Sequence, residues 1–224
     1  MRWIALVLLF AALRADAQTS GVIYIGDSIT EGLGLSDHEQ AYPELLGGVN
    51  AGVSGSSTWW WVPENYPLLE EHVLPHLPAK QVSIMLGTND SNGFLLEEPT
   101  LPAIYYERMQ RIIRWLLVRG VESITLRGAP IPRTREGVPR PDYFRFQRYR
   151  EADRQLCEAY PAVHCGVFLN EVWDPKIRDY APPDWLHPSQ DGHISMADLI
   201  RNDPAGLRPI NQLGRNAADG RCKH

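Results

Sequence analysis

Five short apolar runs are spaced along the chain, at residues 22–25, 48–53, 81–86, 121–126 and 163–169. Each is bounded by Gly, Asn, Asp, Ser or Pro, and each reads as a buried strand. The stretches between them carry helical spacing. Residues 38–46 read as a helix that tolerates Pro43 only near its start, and 63–77 as a helix interrupted by Pro67 and Pro75. Over 101–118 the apolar positions Ile104, Tyr105, Met109, Ile112, Ile113, Leu116 and Leu117 make one helical face, with Gly120 where a C-cap glycine belongs. Asp142 is placed to cap a helix reaching about Tyr160, and 190–201 reads as the last helix.

Strand and helix thus alternate about five times, which predicts a parallel sheet covered on both faces. The polar clusters follow the strands: Gly26-Asp27-Ser28 after the first, Ser54-Gly55 after the second and Gly87-Thr88-Asn89-Asp90 after the third. In a doubly wound sheet such clusters converge on one edge, where sites are built.

Composition narrows the setting. The chain has 224 residues and a net charge of −5, which suits one domain and does not suggest a nucleic-acid partner. The arginines at 133, 135, 140, 145, 148 and 150 read as a solvated strip. At the N-terminus, Arg2, an apolar run over 4–13 and Ala15-Asp16-Ala17 have the layout of a secretory signal peptide. The run falls short of the roughly 20 residues a bilayer span needs. The expected organisation is therefore a signal peptide at 1–17, a domain at 18–202 and a polar tail at 203–224, in a secreted or periplasmic protein with no stable membrane span. Export permits a disulfide between Cys157 and Cys165, which would clip helix to strand and leave Cys222 over. His72, His76, His164 and His193 lack metal-ligand spacing, and no dinucleotide fingerprint follows the first strand, so no metal and no cofactor is expected.

A fourth cluster, Asp184-Trp185-Leu186-His187-Pro188, completes the set. Gly26-Asp27-Ser28-Ile29-Thr30, Asn50-Ala51-Gly52-Val53-Ser54-Gly55, Gly87-Thr88-Asn89-Asp90 and this fourth cluster resemble, in order, four blocks of the SGNH (GDSL-type) esterase and acylhydrolase family. The resemblance covers residues 22 to about 200. It implies an α/β fold, a flavodoxin-like three-layer α/β/α sandwich with a five-stranded parallel sheet. It implies Ser28 as nucleophile, His187 as its base and Asp184 as the residue orienting the imidazole. Chemistry agrees, since a serine hydroxyl is a poor nucleophile until a base takes its proton. The oxyanion hole would consist of the Ser28 and Gly55 N–H groups and the Asn89 amide. Gly52 is the alternative glycine. Asp27 and Asp90 are expected to brace the loops.

Trp59-Trp60-Trp61 follows Gly55 closely, and three adjacent indoles cannot all face one core. At least one is expected at the cleft rim, against a sugar ring or an acyl chain. The resulting expectation is a serine esterase acting through an acyl-enzyme on a small-molecule or glycan-linked ester, with a short acyl group. A lysophospholipase or thioesterase, or a glycan-binding module without catalysis, are the alternatives.

Overall fold

The residues Ile23, Tyr24, Ile25 and Gly26 contain no polar break, and all four are buried in β1 (Ile23–Gly26). A strand buried on both faces needs a neighbour at each edge and cover on each side. The structure, a computed structural model, describes residues 21–91, 99–130, 146–172, 179–180 and 186–203. In it β1 lies between β2 (Val49–Gly52) and β3 (Gln81–Met85). β4 (Ser123–Leu126) and β5 (Val163–Cys165) extend the sheet to the order β2-β1-β3-β4-β5, with every pairing parallel. This is the flavodoxin-like order, reached because each crossover carries a helix.

Alternation along the strands divides the side chains between two cores. Ile23, Ile25, Val82, Ile84, Ile124 and Leu126 pack on one side. There they meet Tyr105, Met109, Ile112, Ile113 and Leu116 of α6 (Pro102–Val118) and Tyr149, Ala152 and Leu156 of α7 (Phe146–Ala159). Each such side chain contributes roughly 1.5–3 kcal/mol on burial. Trp61 of α3 (Thr58–Trp61) and Leu68 and Leu69 of α4 (Leu68–His72) join the same core. Tyr24 and Met85 point to the other side. They pack with Ile29 of α1 (Ser28–Glu31), Tyr42 of α2 (Tyr42–Leu45), Leu169 of α8 (Leu169–Val172), and Met196, Ala197 and Ile200 of α9 (Gln190–Arg201). Among the described residues no helix is long and apolar enough to cross a membrane.

Several expected boundaries move. The run 163–169 stays extended only to Cys165, and its last apolar residue, Leu169, starts α8. A short apolar run does not distinguish strand from helix by periodicity. The helix expected over 63–77 breaks into α4 and a 3₁₀ turn, Leu74–His76, with Pro67 before the first and Pro75 inside the second. The 38–46 helix shortens to the single turn α2, with Pro43 in it. Thr58 opens α3. The 101–118 and 190–201 helices form as expected, and Gly120 takes a positive φ of 87° just past α6. The signal peptide, the Asp142 cap, Asp184 and Cys222 lie outside the described residues.

A disulfide joins Cys157 to Cys165 with Cα atoms 5.8 Å apart, tying α7 to the edge strand β5. The second buried staple was not expected. Arg127 leaves the end of β4 into the interior, where its Nη1 meets Asp203 Oδ2 at 2.7 Å and its Nε donates to Ser83 Oγ at 3.1 Å. Asp203 Oδ2 also accepts from Val167 N at 2.7 Å. A Cβ on Gly166 would sit 2.7 Å from Arg127 Nη1 and 2.8 Å from Asp203 Oδ2, so a glycine there leaves room for the pair. Asp203, the first residue of the expected polar tail, is therefore part of the folded domain.

Removing one partner of a buried pair strands the other charge. Asp203→Ala is expected to cost about 3–5 kcal/mol in chemical denaturation, whereas a solvated tail residue would cost under about 0.5 kcal/mol. A change of the smaller size would show that the pair does not hold α9 to the sheet.

Candidate active site

The turn that carries Ser28 is built from small residues under tight constraint. β1 ends at Gly26, and the chain folds back at once into α1. A Cβ on Gly26 would lie 1.9 Å from Thr30 Oγ1, so only glycine fits under the returning helix. Asp27 is the N-cap of α1, and its Oδ1 accepts from Ile29 N at 2.9 Å. Ser28 follows as the first helical residue, 6% exposed, at the C-terminal edge of the sheet.

His187 arrives from the far end of the chain. Its Nε2 is 2.9 Å from Ser28 Oγ across a separation of 159 residues. The tautomer with a bare Nε2 can accept the serine proton, the geometry that a nucleophile and its base require. His187 is placed by Pro188, whose bridge to Tyr180 is antiparallel, and by Ser189, the N-cap of α9, whose Oγ accepts from Gly192 N at 3.3 Å.

Asn89 stands in α5 (Thr88–Ser91), directly after β3, and its Nδ2 donates to Ser56 O at 2.8 Å. An amide nitrogen has two protons. One is thus committed to Ser56, and the second remains for a ligand oxygen. Of the two candidate glycines, Gly52 packs: a Cβ there would lie 2.2 Å from Glu31 N. Gly55 instead has a positive φ of 74° and open space where a Cβ would point. Room for a ligand therefore lies beside Gly55.

Asp90 braces as expected. Its carboxylate accepts from Thr58 N at 2.9 Å and from the Thr58 hydroxyl, with Arg108 Nη1 at 3.7 Å. Tyr149 donates to Asp90 O at 2.9 Å. The turn bearing Asn89 is consequently tied to α3, α6 and α7. Ser56, Thr58 and Tyr149 were missed in the sequence. Only Ser56 left a signal, its position directly after Gly55.

The three indoles separate. Trp61 is fully buried and donates from Nε1 to Ser56 Oγ at 2.9 Å, so it does not line a rim. Trp59 and Trp60 are 40% and 38% exposed and gather on Tyr66, Trp60 stacked at 4.5 Å and Trp59 edge-on at 5.1 Å. Among the described residues no three His, Cys, Asp or Glu side chains converge where a metal ion could bind.

Burial sets the electrostatics. Desolvation pushes Asp27 up to about 6; the Ile29 N–H, Thr88 and His187 pull the other way. Asp27 Oδ2 and Thr88 Oγ1 are both buried without a hydrogen bond of ordinary geometry. His193, fully buried on α9, accepts from Tyr42 N through Nδ1 at 3.2 Å. Burial first, then the neighbouring His187, lowers it to about 4, and it stays neutral beside the His187 imidazole at neutral pH.

A serine paired with a histidine at the C-terminal edge of a parallel sheet is an arrangement that serine hydrolases use. The chain belongs to the GDSL-like lipase/acylhydrolase family, whose model matches residues 24–193. Solved structures share the fold. An acetylxylan esterase from Geobacillus stearothermophilus is 22% identical with a TM-score of 0.60, over 80% of this chain and 91% of that one. A GDSL-like lipase from Bacteroides thetaiotaomicron is 17% identical with a TM-score of 0.60, over 82% and 87%. A lipase/acylhydrolase from Enterococcus faecalis is 21% identical with a TM-score of 0.59, over 80% and 93%. No curated protein matches the chain.

The Asp27 shift carries a stability sign. Its folded pKa lies above the ordinary carboxylate value, so its contribution is fully present below about pH 4 and is lost as pH rises through about 6. Asn at this position keeps the Oδ1 acceptor and never ionises. Asp27→Asn is therefore expected to gain stability relative to wild type on going from pH 4.5 to pH 7.5, by on the order of 2–3 kcal/mol. Denaturation curves at the two pH values measure it; a difference that does not change with pH would show Asp27 to be charged throughout.

Proposed function

We propose that the protein is a secreted serine ester hydrolase that cleaves short-acyl esters, O-acetyl groups on carbohydrate in particular, through an acyl-enzyme. The observation that carries this reading is the 2.9 Å approach of His187 Nε2 to Ser28 Oγ beside the Asn89 amide.

In the reaction so read, Ser28 Oγ attacks the ester carbonyl as its proton passes to His187 Nε2. The carbonyl oxygen becomes an oxyanion, held by the free Asn89 N–H with the N–H groups of Ser28 and Gly55. The intermediate collapses, and the alkoxide leaves with the proton from His187. Water then repeats the sequence on the acyl-Ser28 ester, losing its proton to His187, and the acid departs with Ser28 Oγ protonated again. Asp184 is the residue proposed to hold the imidazole during the imidazolium stages.

The substrate class has two supports. Trp59 and Trp60 are exposed beside Tyr66 four to five residues from Gly55, an aromatic surface of the kind that packs on sugar rings. One structural neighbour acts on acetylated xylan by its name. Export is supported by the N-terminal pattern and by the Cys157–Cys165 disulfide, a bond that persists in oxidising compartments.

Ester hydrolysis of p-nitrophenyl acetate, butyrate and octanoate tests activity and acyl length together. Acetate is expected to be the best substrate, with Ser28→Ala lowering kcat by at least about 10³-fold in a folded protein. Most of the activity surviving in Ser28→Ala would end the reading. Glycan binding by the wild type without any turnover would replace it with a binding module.

A further inference from the structure

Four interactions meet on Ser56, which is 1% exposed. Its N–H donates to Val53 O at 3.1 Å and closes the turn after β2. Its hydroxyl donates to Gly26 O at 3.3 Å, the last carbonyl of β1 before Asp27 and Ser28. The same hydroxyl accepts from Trp61 Nε1 at 2.9 Å. Its carbonyl accepts one of the two Asn89 amide protons at 2.8 Å. Ser56 therefore touches or adjoins the support of every oxyanion donor: the strand end ahead of Ser28, its chain neighbour Gly55, and the Asn89 side chain.

We infer that Ser56 is a positioning residue that holds the oxyanion hole together, its hydroxyl setting the peptide plane whose carbonyl orients Asn89. The inference rests on the esterase reading. Any residue at 56 would supply a carbonyl. What the hydroxyl adds is the fixed direction of that carbonyl, because it bridges two groups that are themselves immobile: the Gly26 carbonyl in the central strand and the fully buried Trp61 indole. The carbonyl in turn decides which way the Asn89 amide faces. A carbonyl accepts from NH₂ and repels the amide oxygen, so the amide cannot flip without losing this bond. With one proton so held, the other points along a fixed line, which is what a preorganised oxyanion donor requires. Trp61, the last of the three adjacent indoles, acts through Ser56 from the interior.

A double-mutant cycle tests this. Ser56→Ala is expected to lower kcat on p-nitrophenyl acetate about tenfold with KM within about twofold, because the loss falls on the transition state. In an Asn89→Ala background the same substitution should cost under about twofold, since the group it orients is gone. An equal loss in the two backgrounds, an unchanged kcat, or an effect confined to KM would overturn the inference. Trp61→Phe, which leaves the Ser56 hydroxyl on Gly26, should show the same pattern at smaller size and serves if Ser56→Ala does not fold. The Asn89 side-chain NH₂ resonances, identified by their loss in Asn89→Ala, give a readout independent of turnover. Slow solvent exchange of one proton in wild type should become fast in Ser56→Ala; no change would overturn the inference as well. A wild type that hydrolyses no ester would sink the esterase reading alone, and the NMR comparison would then decide the Ser56 link.

Discussion

The unstaggered parallel register of the three central strands is the constraint on which the site depends. Gly26 of β1 stands opposite Gly52 on one side and Met85 on the other. The three chains therefore leave the sheet at one level, and the turns that follow carry Ser28, Gly55 and Asn89. A slip of one residue would turn every side chain of a strand to the opposite face. It would exchange Ile23 and Ile25 for Tyr24 in the α6-side core and carry Ser28 off the edge. Gly26 and Gly52 keep the register possible at its crowded end, where α1 folds back between them and leaves no room for a Cβ on either.

The turns so aligned are then locked by buried polar groups rather than by packing alone. Asp27 caps α1, Asp90 takes the backbone and hydroxyl of Thr58, and Tyr149 reaches the Asp90 carbonyl. Behind Tyr149 lies Tyr105, stacked on it at 4.4 Å, with its hydroxyl 3.2 Å from Asp153 Oδ1. Burial drives the Asp153 carboxyl well above its usual range. On the opposite face the buried Arg127 is paired with Asp203. Each arrangement satisfies groups that would be costly to bury unpaired.

Stability and chemistry pull against each other at Asp27. The residue that caps the Ser28 turn is desolvated so fully that its ionisation is disfavoured up to about pH 6. His193 shows the reverse case: burial lowers it to about 4, and its neutrality keeps a positive charge away from His187. At neutral pH His193 is thus uncharged beside His187, while Asp27 carries its charge once the pH passes about 6.

Most of this was legible in the chain. The alternation of apolar runs with helical spacing determined the parallel α/β sheet, and the four blocks resembling the SGNH family pointed to Ser28, Asn89 and His187 before any geometry. These signals are local: periodicity, turn residues and a serine or amide placed after a strand are properties of a few consecutive residues. Tertiary structure decided what depends on distant neighbours. Gly55 rather than Gly52 faces open space because α1 happens to press on Gly52. Trp61 is interior and Trp59 and Trp60 are not because Ser56 Oγ lies where it accepts one indole. Asp203 belongs to the domain because Arg127, 76 residues earlier, is buried and needs a counter-charge. No spacing rule encodes such partners, since each is brought near by the fold that the local signals build.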